Sequence, residues 1–214
     1  GNKVCVDADN QQSAEFFLLS VAQEMNVVSG SMSIGGKVVY QGRHMHFVED
    51  TVMQNIIMGL PFEEEKYKKA IKMVGLEPLL EGAASLEGTI ITENGKDLPE
   101  DLRRLIIFAR LMYVDADIYV LNGFLDNFPL MYRETVVKDI LQENREGKTI
   151  LITTAKEQIA RMCHKIFFFN EGHLSRVKTP DQMDEEDVGR FETGIKDETR
   201  TMSFQLKKVY DNIG

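Results

Sequence analysis

The feature that most constrains this chain is the alternation of two hydrophobic periods along its length. Short apolar runs at Lys3–Val6, Lys37–Tyr40, Ile118–Leu121 and Thr149–Thr153 read as buried strands. Between them lie segments with apolar residues at helical spacing. Ala14–Met25 (AEFFLLSVAQEM) predicts a helix, as do Thr51–Gly59, Glu63–Gly75, Leu98–Val114, Tyr132–Asn144 and Glu157–Cys163. Ile166–Asn170 and His173–Val177 predict a hairpin turning on Glu171-Gly172. Val27–Gly36 reads as turns, and Leu80–Asp97 as a looser, glycine-punctuated stretch. Strands alternating with helices predict an α/β fold with a mainly parallel core sheet, and the mostly helical stretch 51–114 predicts a helical second lobe.

The bulk numbers narrow the function classes. A chain of 214 residues can bury a real core. Its net charge of −9 argues against nucleic acid as a partner, because neutralising phosphates needs a basic stripe. Two cysteines, Cys5 and Cys163, read as reduced intracellular thiols rather than a disulfide framework. No apolar run approaches the ~20 residues that span a bilayer, and no stretch reads as a signal peptide. The abrupt opening Gly1-Asn2-Lys3 looks like that of an excised domain.

Several ordered blocks carry a resemblance. Thr51-Val52-Met53-Gln54-Asn55-Ile56-Ile57-Met58-Gly59 resembles "T-I-x-E-N-I-x-F-G". Leu102–Leu121, with Ala109-Arg110 and Asp115-Ala116-Asp117, resembles "R-x-x-x-A-R-A-x-Y-x-x-A-D-I-x-L-L". Lys148–Thr153 resembles the strand before a switch histidine. Glu171–Leu174 with Thr179–Met183 resembles the closing "x-G-x-I-x-x-x-G-T-x-x-E-L". Together they resemble the nucleotide-binding domain of ABC transporters, most of all the first such domain of the C subfamily, the multidrug-resistance and cystic fibrosis chloride channel type. The resemblance covers residues 1–184, with the helical subdomain at about 51–114 and a charged linker or regulatory tail at 185–214. It implies a P-loop NTPase-like ABC ATPase fold whose N-terminal antiparallel strands are partly missing.

The resemblance also implies which positions hold ATP and Mg²⁺, and each is altered here. A P-loop cradles phosphate through glycine-borne N–H groups, a lysine and a metal-binding hydroxyl. The matching stretch, Ala8-Asp9-Asn10-Gln11-Gln12-Ser13-Ala14-Glu15, has no glycine; Ala14 stands for the lysine and Glu15 for the hydroxyl. Asp7, Asp9 and Glu15 add charge of the wrong sign, with Glu15 expected to satisfy the helix dipole itself. Asn122 and Gly123 replace the magnesium-binding aspartate and the base, Arg43 the Q-loop glutamine and Ala155 the switch histidine. Asp126 is a candidate D-loop aspartate, although ungapped counting puts Pro129 there. The signature position holds Leu98-Pro99-Glu100-Asp101-Leu102. It reads as a helix start with Asp97 as N-cap and Glu100 completing a capping box, its acids repelling phosphate.

Arg43, Phe47, Met58 and Glu93 fall on the surface that the family turns toward its transmembrane domains, Glu93 within Glu93-Asn94-Gly95. His44-Met45-His46 is a weak metal pattern, and His164 and His173 lack a partner at ligand spacing. No metal is expected. The 11 methionines suit adaptable packing. In the tail, Phe204–Val209 reads as an amphipathic docking helix, and Thr201 and Ser203 as candidate modification sites.

The function implied is a degenerate domain with little or no ATP binding or hydrolysis. It would act as a dimerisation and coupling scaffold on the cytoplasmic face of a membrane, with the transmembrane domains of the same polypeptide and a second nucleotide-binding domain as partners. A divergent ATPase that drives transport and a stand-alone regulatory adaptor are the alternatives. No displaced lysine lies near residues 8–15 to serve the former.

Overall fold

A computed structural model describes residues 1–80, 87–128 and 147–191. The predicted helix at Tyr132–Asn144, Pro129 and the tail features at Thr201, Ser203 and Phe204–Val209 lie outside the described residues. The described residues form two compact units, one of 1–43, 116–127 and 147–191, the other of 44–80, 87–115 and 128.

The first unit is an α/β structure on a six-stranded mixed sheet. Its strands are β1 (Lys3–Ala8), β2 (Val38–Gln41), β3 (Ile118–Asn122), β4 (Thr149–Thr153), β5 (Lys165–Asn170) and β6 (His173–Lys178). The spatial order is β2-β3-β4-β1-β5-β6. The first five are parallel; β6 returns antiparallel to β5, with an irregularity at Phe168/Phe169. The central strand carries consecutive buried side chains, Val4, Cys5 and Val6, because both faces of a parallel sheet are covered.

Helix α1 (Gln11–Val21) covers one face. Ala14, Leu18 and Val21 repeat at helical spacing and pack with Val4, Val6, Val120, Leu151 and Phe169. It starts three residues before the predicted Ala14, because Asn10 is the N-cap and accepts from the Gln12 N–H at 2.9 Å. It stops short of Met25, because Gln23 turns left-handed (φ 63°) and its N–H closes on the Ser20 carbonyl. The predicted hairpin forms with Glu171-Gly172 at its turn.

The second unit holds α2 (Val52–Ile57), α3 (Glu64–Met73), α4 (Glu77–Leu80) and α5 (Glu100–Val114). Thr51 caps α2, and left-handed Met58 with Gly59 ends it. Tyr67, Ala70 and Ile71 form the buried stripe of α3. Asn55 is 0% exposed; it accepts from the Val48 N–H and donates to the carbonyls of Val48, Asp50 and Thr51. No described helix is long and apolar enough to cross a membrane.

Two expectations are corrected. Asp97 does not cap α5. The N-cap is Pro99, without a side-chain bond, and the Asp97 carboxylate faces the Thr92 N–H at 3.3 Å. Glu100 makes no capping box; it pairs with Arg104 one turn on. Asp184 caps a short helix, α6 (Glu185–Gly189), through a reciprocal box with Asp187, which is 0% exposed.

Candidate functional site

In parallel sheets, ligands sit beyond the carboxyl ends of the strands. In the first unit those ends bring together Asp9-Asn10 after β1, Gly42-Arg43 after β2, Asn122-Gly123 at β3, Thr154-Ala155 after β4 and Glu171 after β5. Five sequence-predicted positions, Arg43, Asn122, Gly123, Asp126 and Ala155, therefore share one edge of one sheet with the β1–α1 connection.

That connection is two residues long, Asp9-Asn10. Most of the predicted phosphate loop is already helix, since Gln11, Gln12, Ser13, Ala14 and Glu15 all belong to α1. Three N–H groups here have protein acceptors. Asp9 donates to the Phe169 carbonyl at 3.2 Å, Gln12 to the Asn10 side chain and Ser13 to the Asn10 carbonyl at 3.0 Å. The Asp9 carboxylate accepts from the Glu171 N–H at 2.9 Å, tying the turn after β5 to the end of β1. Ala14 is a core residue, and half-buried Glu15 lies a turn inside the helix, so Asn10 rather than Glu15 meets the helix N-terminus.

At β3, the Asn122 Oδ1 accepts from the Thr153 hydroxyl at 2.7 Å, and its Nδ2 donates to the Tyr40 hydroxyl at 3.3 Å. Three neighbouring strands are thereby stitched through one amide. Gly123 donates to the Thr153 hydroxyl at 2.8 Å and takes a left-handed φ of 61°. A Cβ there would stand 2.8 Å from the Arg43 Cζ and 3.0 Å from its Nε. The guanidinium of Arg43 thus fills the space of the expected base.

Asp126 serves structure. Its buried carboxylate accepts from the Thr154 hydroxyl and, at 2.9 Å, from the Ala155 N–H. Burial raises its pKa more than those bonds and the charges of Arg43 and Lys156 lower it. At Asp7 burial likewise outweighs Arg190, which pairs with it.

In the second unit, left-handed Glu93, Asn94 and Gly95 form a tight turn. Asn94 accepts from the Phe47 N–H at 2.7 Å. Phe47 is buried against Gly95 and lies beneath Arg110, whose Cζ is 5.6 Å from the ring. Of the positions that the resemblance puts on one surface, Phe47 is buried, while Met58 (42% exposed), Glu93 and Arg43 are exposed. Arg110 also donates to the carbonyls of Asn55 at 2.7 Å and His46 at 3.0 Å, and burial lowers its pKa to about 10. At the signature position, Leu98 and Pro99 are half-buried, Glu100 is exposed and Leu102 is core. Asp101 is only 4% exposed, with Oδ1 lacking a hydrogen bond. Burial raises its pKa despite Arg104. Of the two acids expected to repel phosphate, only Glu100 faces solvent.

Among the described residues, no cluster of His, Cys, Asp or Glu could hold a metal ion. His44 and His46 lie in an exposed loop, and the His164 Nδ1 accepts from the Lys3 N–H at 3.2 Å. Sequence reasoning missed Tyr40, Thr153, Thr154 and Arg190. The three hydroxyls sit at strand ends beside quoted positions, which was the available signal; Arg190 carries none, since its partner Asp7 is 183 residues away. No family model matches the chain.

Proposed function

We propose that this chain is a degenerate nucleotide-binding domain of the ABC transporter type, with a P-loop-like core. In this reading it is a dimerisation and coupling scaffold at the cytoplasmic face of a membrane, partnered by the transmembrane domains of its own polypeptide and by a second nucleotide-binding domain. The family assignment rests on the ordered sequence blocks, and the six-stranded, mainly parallel sheet is compatible with it.

One observation carries the loss of chemistry. The β1–α1 connection is a two-residue turn, and the N–H groups of Asp9, Gln12 and Ser13 around it already have protein acceptors. A phosphate cradle needs those groups directed at the ligand. The residues present do not fit magnesium-bound ATP. The Asn122 amide is engaged on both sides, the Asp7 carboxylate faces Arg190, and a guanidinium stands at the position of the base.

Titrating magnesium-ATP calorimetrically into the chain tests this directly. No binding heat at 1 mM nucleotide is expected, which sets Kd above roughly 1 mM, weaker than about −4 kcal/mol. Micromolar binding with measurable phosphate release would sink the proposal.

A further inference from the structure

Residues 184–191 are fastened to the sheet by more than packing. Asp187, fully buried, meets Lys178 through Oδ2 and Arg176 through Oδ1 at 3.1 Å. Lys178 also holds Asp184 at 2.7 Å. Both partners come from β6. Beyond the helix, Arg190 reaches back to the far end of the chain. Its Nε donates to the Asp7 carboxylate, Nη1 to the Asn170 Oδ1 at 3.0 Å and Nη2 to the Phe169 carbonyl at 3.3 Å. The ring of Phe168 has Arg190 at 5.5 Å and Arg176 at 5.2 Å from its centroid. Phe191, the next residue, is buried.

Arg190 therefore grips both strands that frame the β1–α1 connection. The Phe169 carbonyl that takes its Nη2 also takes the Asp9 N–H, and Asn170, which takes Nη1, precedes the Glu171 whose N–H binds Asp9. A charge-assisted fork is stronger and more directional than a neutral bond, and this one is shielded by the neighbouring ring.

We propose that residues 184–191 form an ion-paired strap whose engagement orders the β1–α1 connection, so that strap and connection open and close together. The coupling runs both ways. Displacing the strap bares the Asp7 carboxylate and loosens the turn, and disturbing the turn weakens the seat of the strap. This holds independently of any family membership.

Hydrogen exchange on the full 214-residue chain tests the strap. Arg190→Gln is expected to speed exchange about tenfold or more at residues 9–13, together with residues 184–191, the scale of losing a charged hydrogen bond that guards local opening. Strands β3 and β4 stay at their wild-type rates. Asp7→Ala produces the same acceleration at residues 9–13, and the double variant adds little to it. Where Arg190→Gln fails to fold, Arg190→Lys keeps the charge but loses the fork, and both segments then accelerate by a smaller, shared factor. Acceleration confined to residues 184–191, with residues 9–13 unchanged in either Arg190 variant, would overturn the proposal.

Discussion

Single residues show most clearly how a site can be closed from within. Gly123 is left-handed, so any side chain there meets a backbone penalty, and a Cβ would in addition have to displace the Arg43 guanidinium, the far end of an exposed side chain. Gly123→Ala should cost about 1–2 kcal/mol in urea denaturation, the scale of a left-handed non-glycine residue. In an Arg43→Ala background the cost should fall, because only the backbone part remains; equal costs in both backgrounds would show that the guanidinium does not fill this space. Asp101 is the opposite case, a carboxylate buried without a partner for Oδ1. Its pKa is raised in the folded chain, so the folded state binds its proton more tightly than the unfolded state. The Asp101 contribution to stability is therefore most favourable below the usual carboxylate range and declines as pH rises through the raised value. Asp101→Asn should stabilise the chain by about 1 kcal/mol at pH 7. The advantage should shrink as the pH is lowered toward the point where Asp101 is protonated, and a pH-independent difference between the two midpoints would refute the assignment.

At the level of elements, the sequence was legible where period and burial agree. The central strands announce themselves as Val4-Cys5-Val6 and Ile150-Leu151-Ile152, and α1 through Ala14, Leu18 and Val21. Element ends were less legible, because they depend on local bonds that composition does not reveal. Gln23 is an unexceptional residue that happens to be left-handed, and Asn10 looks like part of a phosphate loop until its side chain is found capping a helix. Asp97 illustrates the reverse, a residue type well suited to capping whose carboxylate faces another N–H. Of the candidate site, the sequence supplied the positions but not their partners. Nothing local tells that Asn122 joins Tyr40 or that Asp7 meets Arg190, since those contacts span 82 and 183 residues. Asn55 is the element-scale determinant that a motif names without explaining. With four hydrogen bonds it holds the 48–51 turn on α2, so Asn55→Ala should cost about 1–3 kcal/mol by removing the buried amide and leaving the Val48 N–H without its acceptor. A loss below 1 kcal/mol in chemical denaturation would mean that water replaces it.

For the whole molecule, the two thiols provide a probe of opening. Cys5 and Cys163 are buried and form no disulfide. Burial raises both, Cys163 to about 12, so neither is appreciably ionised near neutral pH. A thiol reagent at pH 8 should label the native chain slowly and both cysteines promptly in urea, and fast native labelling of Cys5 would contradict its place in the central strand. The short turn between β1 and α1 has a consequence of another kind. A protein whose binding loop is ordered by its ligand gains stability as RT ln(1 + [L]/Kd), so its shape tracks the concentration of that ligand. Here the amides are satisfied by Asn10 and Phe169. Under the proposed function, adenine nucleotide would not shift this loop between its open and closed forms, and the balance would fall to the strap at residues 184–191 instead.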